Sequence, residues 1–132
     1  EKIEQSKMAT IMYSKIENTY IKIYSILKKN KKLRSEVDFF ITNNDEITYN
    51  ILNKLVKFKD LIIDLDSSNQ VNKIPEYIIS LSNLTEDYLL SKTEINIELG
   101  LLLAIKKILD IAYDLIGVIP KEEKIGGNYE FK

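Results

Sequence analysis

The sequence predicts an all-α protein, an elongated antiparallel three-helix bundle with or without a short fourth helix. Only four Gly and two Pro occur in 132 residues, and they fall where the apolar pattern already stops, which favours long helices. Apolar residues recur at steps of three and four along three segments. The β-branched runs are short and lie inside these helical patterns, so no strand is predicted.

The first predicted helix spans residues 3–42. Its apolar register continues beyond the polar interval Lys28–Lys32, which contains neither Gly nor Pro, so the interval is interpreted as solvated helix. A forty-residue helix reaches about 60 Å and needs partners along its length. One face is lined by Met12, Ile16, Thr19, Ile23 and Ile26, and a flanking stripe is formed by Tyr13, Tyr20, Tyr24 and Leu27.

The second predicted helix spans residues 45–66. Asn44 or Asp45 can accept the free backbone N–H groups at its start, and acidic residues are favourable there. Its apolar positions have the clearest helical spacing in the protein. They are Ile47, Ile51, Leu55, Phe58, Ile62 and Leu65.

The remaining helical pattern predicts a short helix over residues 75–82 and a long helix over residues 84–116. Pro75 suits the first turn of the short helix. Asn83 has capping-box spacing to an acidic residue and predicts the start of the long one. Gly117 ends it.

Residues 1–120 therefore form one helical domain, and residues 121–132 are predicted to be a flexible C-terminal tail. Leu99–Ala104 is apolar all round, so this segment is expected to be covered on more than one side. The cover is either the bundle itself or a second copy of the chain, and a homo-oligomer stays open at this stage.

The composition excludes most kinds of catalytic site. Without Cys or His there is no thiol nucleophile, no imidazole base and no zinc site of the usual kind. The carboxylate pairs Glu94–Glu98 and Asp110–Asp114 lie one helical turn apart, which suits either a hard cation or a solvated acidic face. The second reading is preferred. We therefore predict a non-enzymatic protein with no catalytic residue, cofactor or metal.

The charge distribution suggests a contact surface for a partner. A net charge of -1 argues against nucleic-acid binding, but residues 1–42 carry nine Lys or Arg and only five Asp or Glu. The tyrosine stripe suits a partner or glycan-binding surface, and the cations suit anionic lipid headgroups or an acidic partner. The preferred structural readings are tyrosines at a core margin and lysines on a solvated helix face. The candidate partner surface consists of Tyr13, Tyr20, Tyr24, Lys28, Lys29, Lys31, Lys32 and Arg34.

Two stretches resemble the bacterial LemA family. Tyr13–Glu17, followed by Tyr20 and Tyr24–Leu27, resembles the pattern of its first helix. Thr93–Ile97, with Val118-Ile119-Pro120 and Tyr129-Glu130-Phe131 further on, resembles its Thr-Glu helix, its Pro terminator and its aromatic tail. The resemblance implies a membrane-anchored bacterial protein with a helical domain. That family has no established catalytic residues to carry over.

Two functions are therefore expected from the sequence. The first is a non-enzymatic interaction domain of a membrane-associated LemA-like protein, which binds a protein partner and is anchored through a segment before Glu1. The alternative is a small cytoplasmic immunity- or adaptor-type protein whose acidic surface binds a basic protein. Neither function includes nucleic-acid binding.

Overall fold

The structure is a computed structural model that describes most of the chain. Its described backbone covers residues 2–30, 43–68, 73–93, 96–119, 121–125 and 128–131, and its described side chains cover residues 15–30, 43–64, 73–93 and 96–119. Within these residues the elements are α1 (Lys2–Lys29), α2 (Glu46–Val56), α3 (Phe58–Ser68), α4 (Lys73–Ser91), α5 (Leu99–Leu115), β1 (Lys121–Ile125) and β2 (Asn128–Phe131). The all-α class is confirmed, with one small hairpin added at the C-terminal end.

The core lies between α1, α4 and α5, and α2 packs against α4 and α5. Both predicted stripes of α1 face this core, because Ile16 and Ile23 are buried together with Tyr20 and Leu27. Tyr20 contacts Asp110 of α5, whereas Tyr24, one turn later on α1, contacts Lys106, one turn earlier on α5. The two helices therefore run antiparallel. The predicted continuation of the first helix, residues 31–42, lies outside the described residues.

The predicted second helix is two helices that meet at Lys57. The apolar register nevertheless continues across the break, since Ile51 on α2 and Phe58 on α3 are both buried. Phe58 packs against the ring of Tyr77, with the centroids 5.1 Å apart. Asp45, one of the two predicted caps, accepts a hydrogen bond from the backbone N–H of Thr48 at 3.0 Å. No Gly or Pro occurs near the break, so the sequence pattern alone predicts one continuous helix.

The predicted boundary at Asn83 is wrong, because α4 runs through it. Asn83 is exposed in the middle of that helix. A single buried stripe passes the position, formed by Ile78, Leu81, Ser82, Thr85 and Tyr88. A cap stabilises a helix end by about 1 kcal/mol, which is less than the burial that an interruption of this stripe would forfeit.

The true break between α4 and α5 lies further along, where Thr93 and Asn96 compete with the helical backbone. The Asn96 backbone N–H donates to the Thr93 carbonyl at 2.9 Å, and its side-chain amide donates to Thr93 Oγ1 at 2.9 Å. Short polar side chains that bond locally in this way favour turns over helix interiors. The predicted 84–116 helix is thereby divided, and its first part joins the predicted 75–82 helix.

The end of α5 follows the prediction closely. Gly117 adopts a left-handed conformation with φ +73°. Its N–H donates to the Asp114 carbonyl at 3.0 Å, and the Val118 N–H donates to the Tyr113 carbonyl at 2.9 Å. These two bonds form a Schellman motif, in which glycine is the favoured residue because it has no Cβ.

Residues 121–131 contain an antiparallel hairpin where the sequence predicted a tail of low order. β1 pairs with β2 from Ile125–Asn128 outward, with an irregular step between Lys121 and Glu123, and β1 lies against α1. The sequence contains Gly-Gly between the two strands, a pair that is favoured in two-residue hairpin loops.

One end of the bundle is held together by the hydroxyl of Tyr88. We call it the connection end; there α1 and α4 finish and α2 and α5 begin. The buried Tyr88 hydroxyl donates to Asn43 Oδ1 at 3.0 Å and accepts the Glu98 backbone N–H at 2.9 Å. The Asn43 N–H donates to Glu98 Oε1 at 2.9 Å, and Lys92 forms an ion pair with Asp45. Segments that are far apart in sequence are thus fixed to one another.

No helix in the part of the chain that the structure describes is long and apolar enough to cross a membrane.

The substitution Tyr88→Phe is expected to lower the free energy of unfolding by about 1–3 kcal/mol, because it leaves the partly buried Glu98 N–H without its acceptor. Urea denaturation followed by circular dichroism measures the change. The matched control is Tyr49→Phe, since Tyr49 is 60% exposed, and its effect should stay within about 0.5 kcal/mol. Equal midpoints for the two variants would contradict the role of Tyr88.

Stability is expected to fall in alkaline solution through Tyr77 and Tyr88. Burial raises the pKa of both hydroxyls above the value of about 10 in an unfolded chain. The folded state therefore holds these protons more tightly, and the stability they contribute is present below pH ~10 and lost as the pH rises further.

The measurement is the free energy of unfolding between pH 8 and pH 11 for the unsubstituted chain and for the double variant Tyr77→Phe/Tyr88→Phe. The lysines titrate in both proteins, so the difference in slope isolates the two tyrosines. The double variant should show the shallower decline, and identical slopes would refute the assignment.

Candidate functional site

The tyrosine stripe of α1 lies in the core rather than on an exposed surface. Tyr20 and Tyr24 are both buried. Tyr20 packs edge-to-face on Tyr113, with the centroids 5.8 Å apart, and its hydroxyl donates to Asp110. The side chain of Tyr13 lies outside the described residues. Tyr20 and Tyr24 therefore pack in the core, and neither ring is exposed for contact with a partner.

The same rings support lysine ammonium groups from two helices. Lys106 Nζ lies 5.5 Å from the ring centroid of Tyr20 and 5.8 Å from that of Tyr24. Lys28 Nζ lies 5.9 Å from the Tyr24 centroid. Cations over aromatic faces are held by the ring quadrupole. Tyr24 thus brings the positive charges of α1 and α5 together.

We call Lys28, Lys29, Lys106 and Lys107 the α1–α5 lysine patch. Lys28, Lys29 and Lys107 are exposed, and Lys106 is half-buried and bonded to Asp110 Oδ2 at 2.9 Å. Three further members of the predicted surface, Lys31, Lys32 and Arg34, follow in the sequence but lie outside the described residues.

The side chains of α1 carry an excess of positive charge, although the whole chain is nearly neutral. Its described side chains, residues 15–30, include four Lys and one Glu. Lys22 forms an ion pair with Glu86 of α4 at 2.5 Å, and Lys28 and Lys29 lie side by side in the last turn of α1. Charged groups act over a Debye length of about 8–10 Å, so the local composition matters more than the total.

A second surface lies on the outer side of α2. We call it the α2 groove: a shallow depression of about 300 Å³ that begins at the connection end and follows the helix. Its residues combine amide groups with exposed apolar side chains. They are Asn43, Asn44, Asp45, Thr48, Tyr49, Leu52, Asn53 and Val56.

A third surface is a depression of about 560 Å³ between α3 and α4, which carries charges of both signs. Burial and the neighbouring charge of Lys57 lower the pKa of Lys54, whose ammonium lies 5.0 Å from the Tyr77 ring centroid. Lys54, Lys57 and Lys73 are balanced there by Asp60, Asp64 and Glu76. The depression therefore has no dominant charge.

The described part of the chain holds no group of three or more potential metal ligands. Asp110 is engaged by Tyr20 and Lys106, and Asp114 is exposed. Glu98 accepts a backbone hydrogen bond at the connection end, and Glu94 lies outside the described residues.

Comparison with known protein families identifies the family of the chain, which the geometry alone does not. The model of the DALR anticodon-binding domain matches residues 16–123, which is most of the chain. The chain belongs to the DALR anticodon-binding family. No curated protein and no solved structure matches it. The family match covers all five helices of this DALR domain from the middle of α1 onward, including the lysine patch and the α2 groove.

The family match corrects the LemA resemblance. The motifs that carried the resemblance are short amphipathic patterns, which recur in unrelated helical proteins because one face of any such helix is apolar. The expected membrane anchor was based on the resemblance and therefore loses its support. Both expected functions, the LemA-like interaction domain and the immunity- or adaptor-type protein, are replaced as well.

The expectation of no nucleic-acid partner is also wrong for a member of this family. It rested on the net charge of -1, which averages a basic N-terminal third with an acidic remainder. Phosphate contacts are local, so a DALR domain needs a basic surface and not a basic chain.

The α2 groove was missed at the level of sequence. Tyr49, Leu52 and Val56 follow helical steps of three and four, but they lie off the stripe that was assigned to the core. A second apolar stripe on one short helix was the available signal. Only the packed structure shows which stripe is buried and which is exposed.

Proposed function

We propose that this DALR domain binds the anticodon region of a tRNA. The observation that carries the proposal is the family match over residues 16–123. A DALR domain occurs in aminoacyl-tRNA synthetases, where recognition of the anticodon is a binding task separate from the chemical step. The chain is accordingly proposed to be a non-enzymatic binding module, which acts where tRNA is charged, in the cytoplasm.

The α1–α5 lysine patch is the proposed contact for the RNA backbone. Lys28, Lys29 and Lys107 are exposed, whereas the half-buried Lys106 is held over two tyrosine rings. Lysine contacts to phosphates release condensed counterions and supply the sequence-independent part of the affinity. The basic residues Lys31, Lys32 and Arg34 continue the same charge along the sequence.

The double variant Lys28→Gln/Lys29→Gln is expected to bind RNA more weakly and with less salt dependence. The ligand is a fluorescently labelled synthetic anticodon stem-loop, and the measurement is fluorescence anisotropy at several salt concentrations. Loss of two phosphate contacts should reduce the magnitude of the negative slope of the logarithm of the binding constant against log salt by roughly 1.4–1.8. The matched control is Lys57→Gln/Lys59→Gln, which removes the same charge from the far end of α2 and from α3.

If RNA binding by the control variant weakens as much as RNA binding by the patch variant, the placement of the RNA backbone on the patch is contradicted. Binding of the unsubstituted chain to a fully paired RNA hairpin as tightly as to the stem-loop would contradict anticodon recognition itself. No binding to either RNA would overturn the proposed function.

A further inference from the structure

The α2 groove presents an aromatic ring and two amide groups that the described structure does not use. Tyr49 is 60% exposed and Val56 is 74% exposed. Within the part of the chain that the structure describes, no side-chain hydrogen bond engages Tyr49, Asn44 or Asn53. Apolar side chains grouped on one helix face and bordered by polar groups are a feature of ligand-binding surfaces.

The chemistry of the groove matches a nucleobase better than a protein side chain. A base has two apolar π-faces and an edge of hydrogen-bond donors and acceptors. Tyr49 offers a flat ring for stacking, and Asn53, one helical turn away, offers both a donor and an acceptor. An unpaired nucleobase therefore complements this arrangement in shape and in hydrogen-bonding groups.

We propose that the α2 groove binds an unpaired base of the RNA, stacked on the ring of Tyr49, with the amides of Asn44 and Asn53 at the base edge. The inference rests on the proposed function and adds to it the part of the ligand that is recognised. Single-stranded bases stack on aromatic side chains without regard to sequence, and amide groups add preference.

The rim of the groove is already fixed before a ligand arrives. Asn43 is held by the Tyr88 hydroxyl and by Glu98. Asp45 caps α2 and pairs with Lys92. A site whose backbone is held in this way loses little conformational freedom on binding, which favours affinity. Tyr49 follows in the first turn of the same helix and shares that support.

The absence of tryptophan from the chain allows a direct test of stacking. Tyr49→Trp introduces a single indole in the groove, and its fluorescence should be quenched when the anticodon stem-loop binds. The matched control is Leu90→Trp, since Leu90 is 76% exposed on α4 and lies outside the groove. Its emission should change little at the same degree of saturation.

The affinity of groove variants provides the second measurement. Tyr49→Ala should weaken binding of the stem-loop about five- to hundred-fold, as expected for one lost base–aromatic stack, whereas Tyr49→Phe should keep the affinity within about twofold. Thermal denaturation of each variant confirms that the fold is retained. Asn53→Ala should reduce the preference among stem-loops that differ in loop sequence.

The outcomes separate this inference from the proposed function. If the unsubstituted chain binds the stem-loop but Tyr49→Ala binds equally well and Tyr49→Trp is not quenched, the groove assignment is overturned and tRNA binding stands. Quenching of the Leu90→Trp control to the same extent would also overturn it. If the unsubstituted chain binds no RNA, the proposed function and the groove assignment fail together.

Discussion

The connection end of the bundle depends on one buried hydroxyl group. Tyr88 bonds to the segment before α2 and to the segment before α5, and the ring beneath it is covered on all sides. Helices packed only by apolar faces can slide, because hydrophobic contacts are not directional. Hydrogen bonds from a fixed ring are directional, so they set the position of α2 relative to α4 and α5. Both proposed contact surfaces lie at or begin from this end.

The two surfaces divide RNA recognition by chemistry. The α1–α5 lysine patch has charge without base-reading groups, and the α2 groove has an aromatic ring and amides with little charge. Phosphate contacts supply affinity and orientation, whereas base contacts supply discrimination. The tyrosines named above also differ between the two surfaces. Tyr20 and Tyr24 lie inside and support lysines, and Tyr49 lies outside.

Much of the secondary structure was predictable because it depends on local periodicity. The α1 stripe, the Asp45 cap and the Gly117 terminator all follow from neighbouring residues. The break at Lys57 and the continuity through Asn83 were not predictable. Both involve contacts between residues far apart in sequence. At the break the Tyr77 hydroxyl donates to the Lys54 carbonyl at 2.7 Å, and Asn83 lies within a helix whose buried stripe packs against α1 and α5. Of the candidate site, the sequence indicated Lys28 and Lys29 and missed Tyr49.

The sequence by itself determined the all-α class, the absence of thiol and imidazole chemistry, and the concentration of positive charge in the first third of the chain. These properties depend on composition and on spacing along one helix. The tertiary structure decided which tyrosines are buried, where the helices break and which lysines meet around Tyr24. Those properties depend on contacts between residues far apart in sequence, and a periodic pattern cannot distinguish a face that meets another helix from a face that meets solvent.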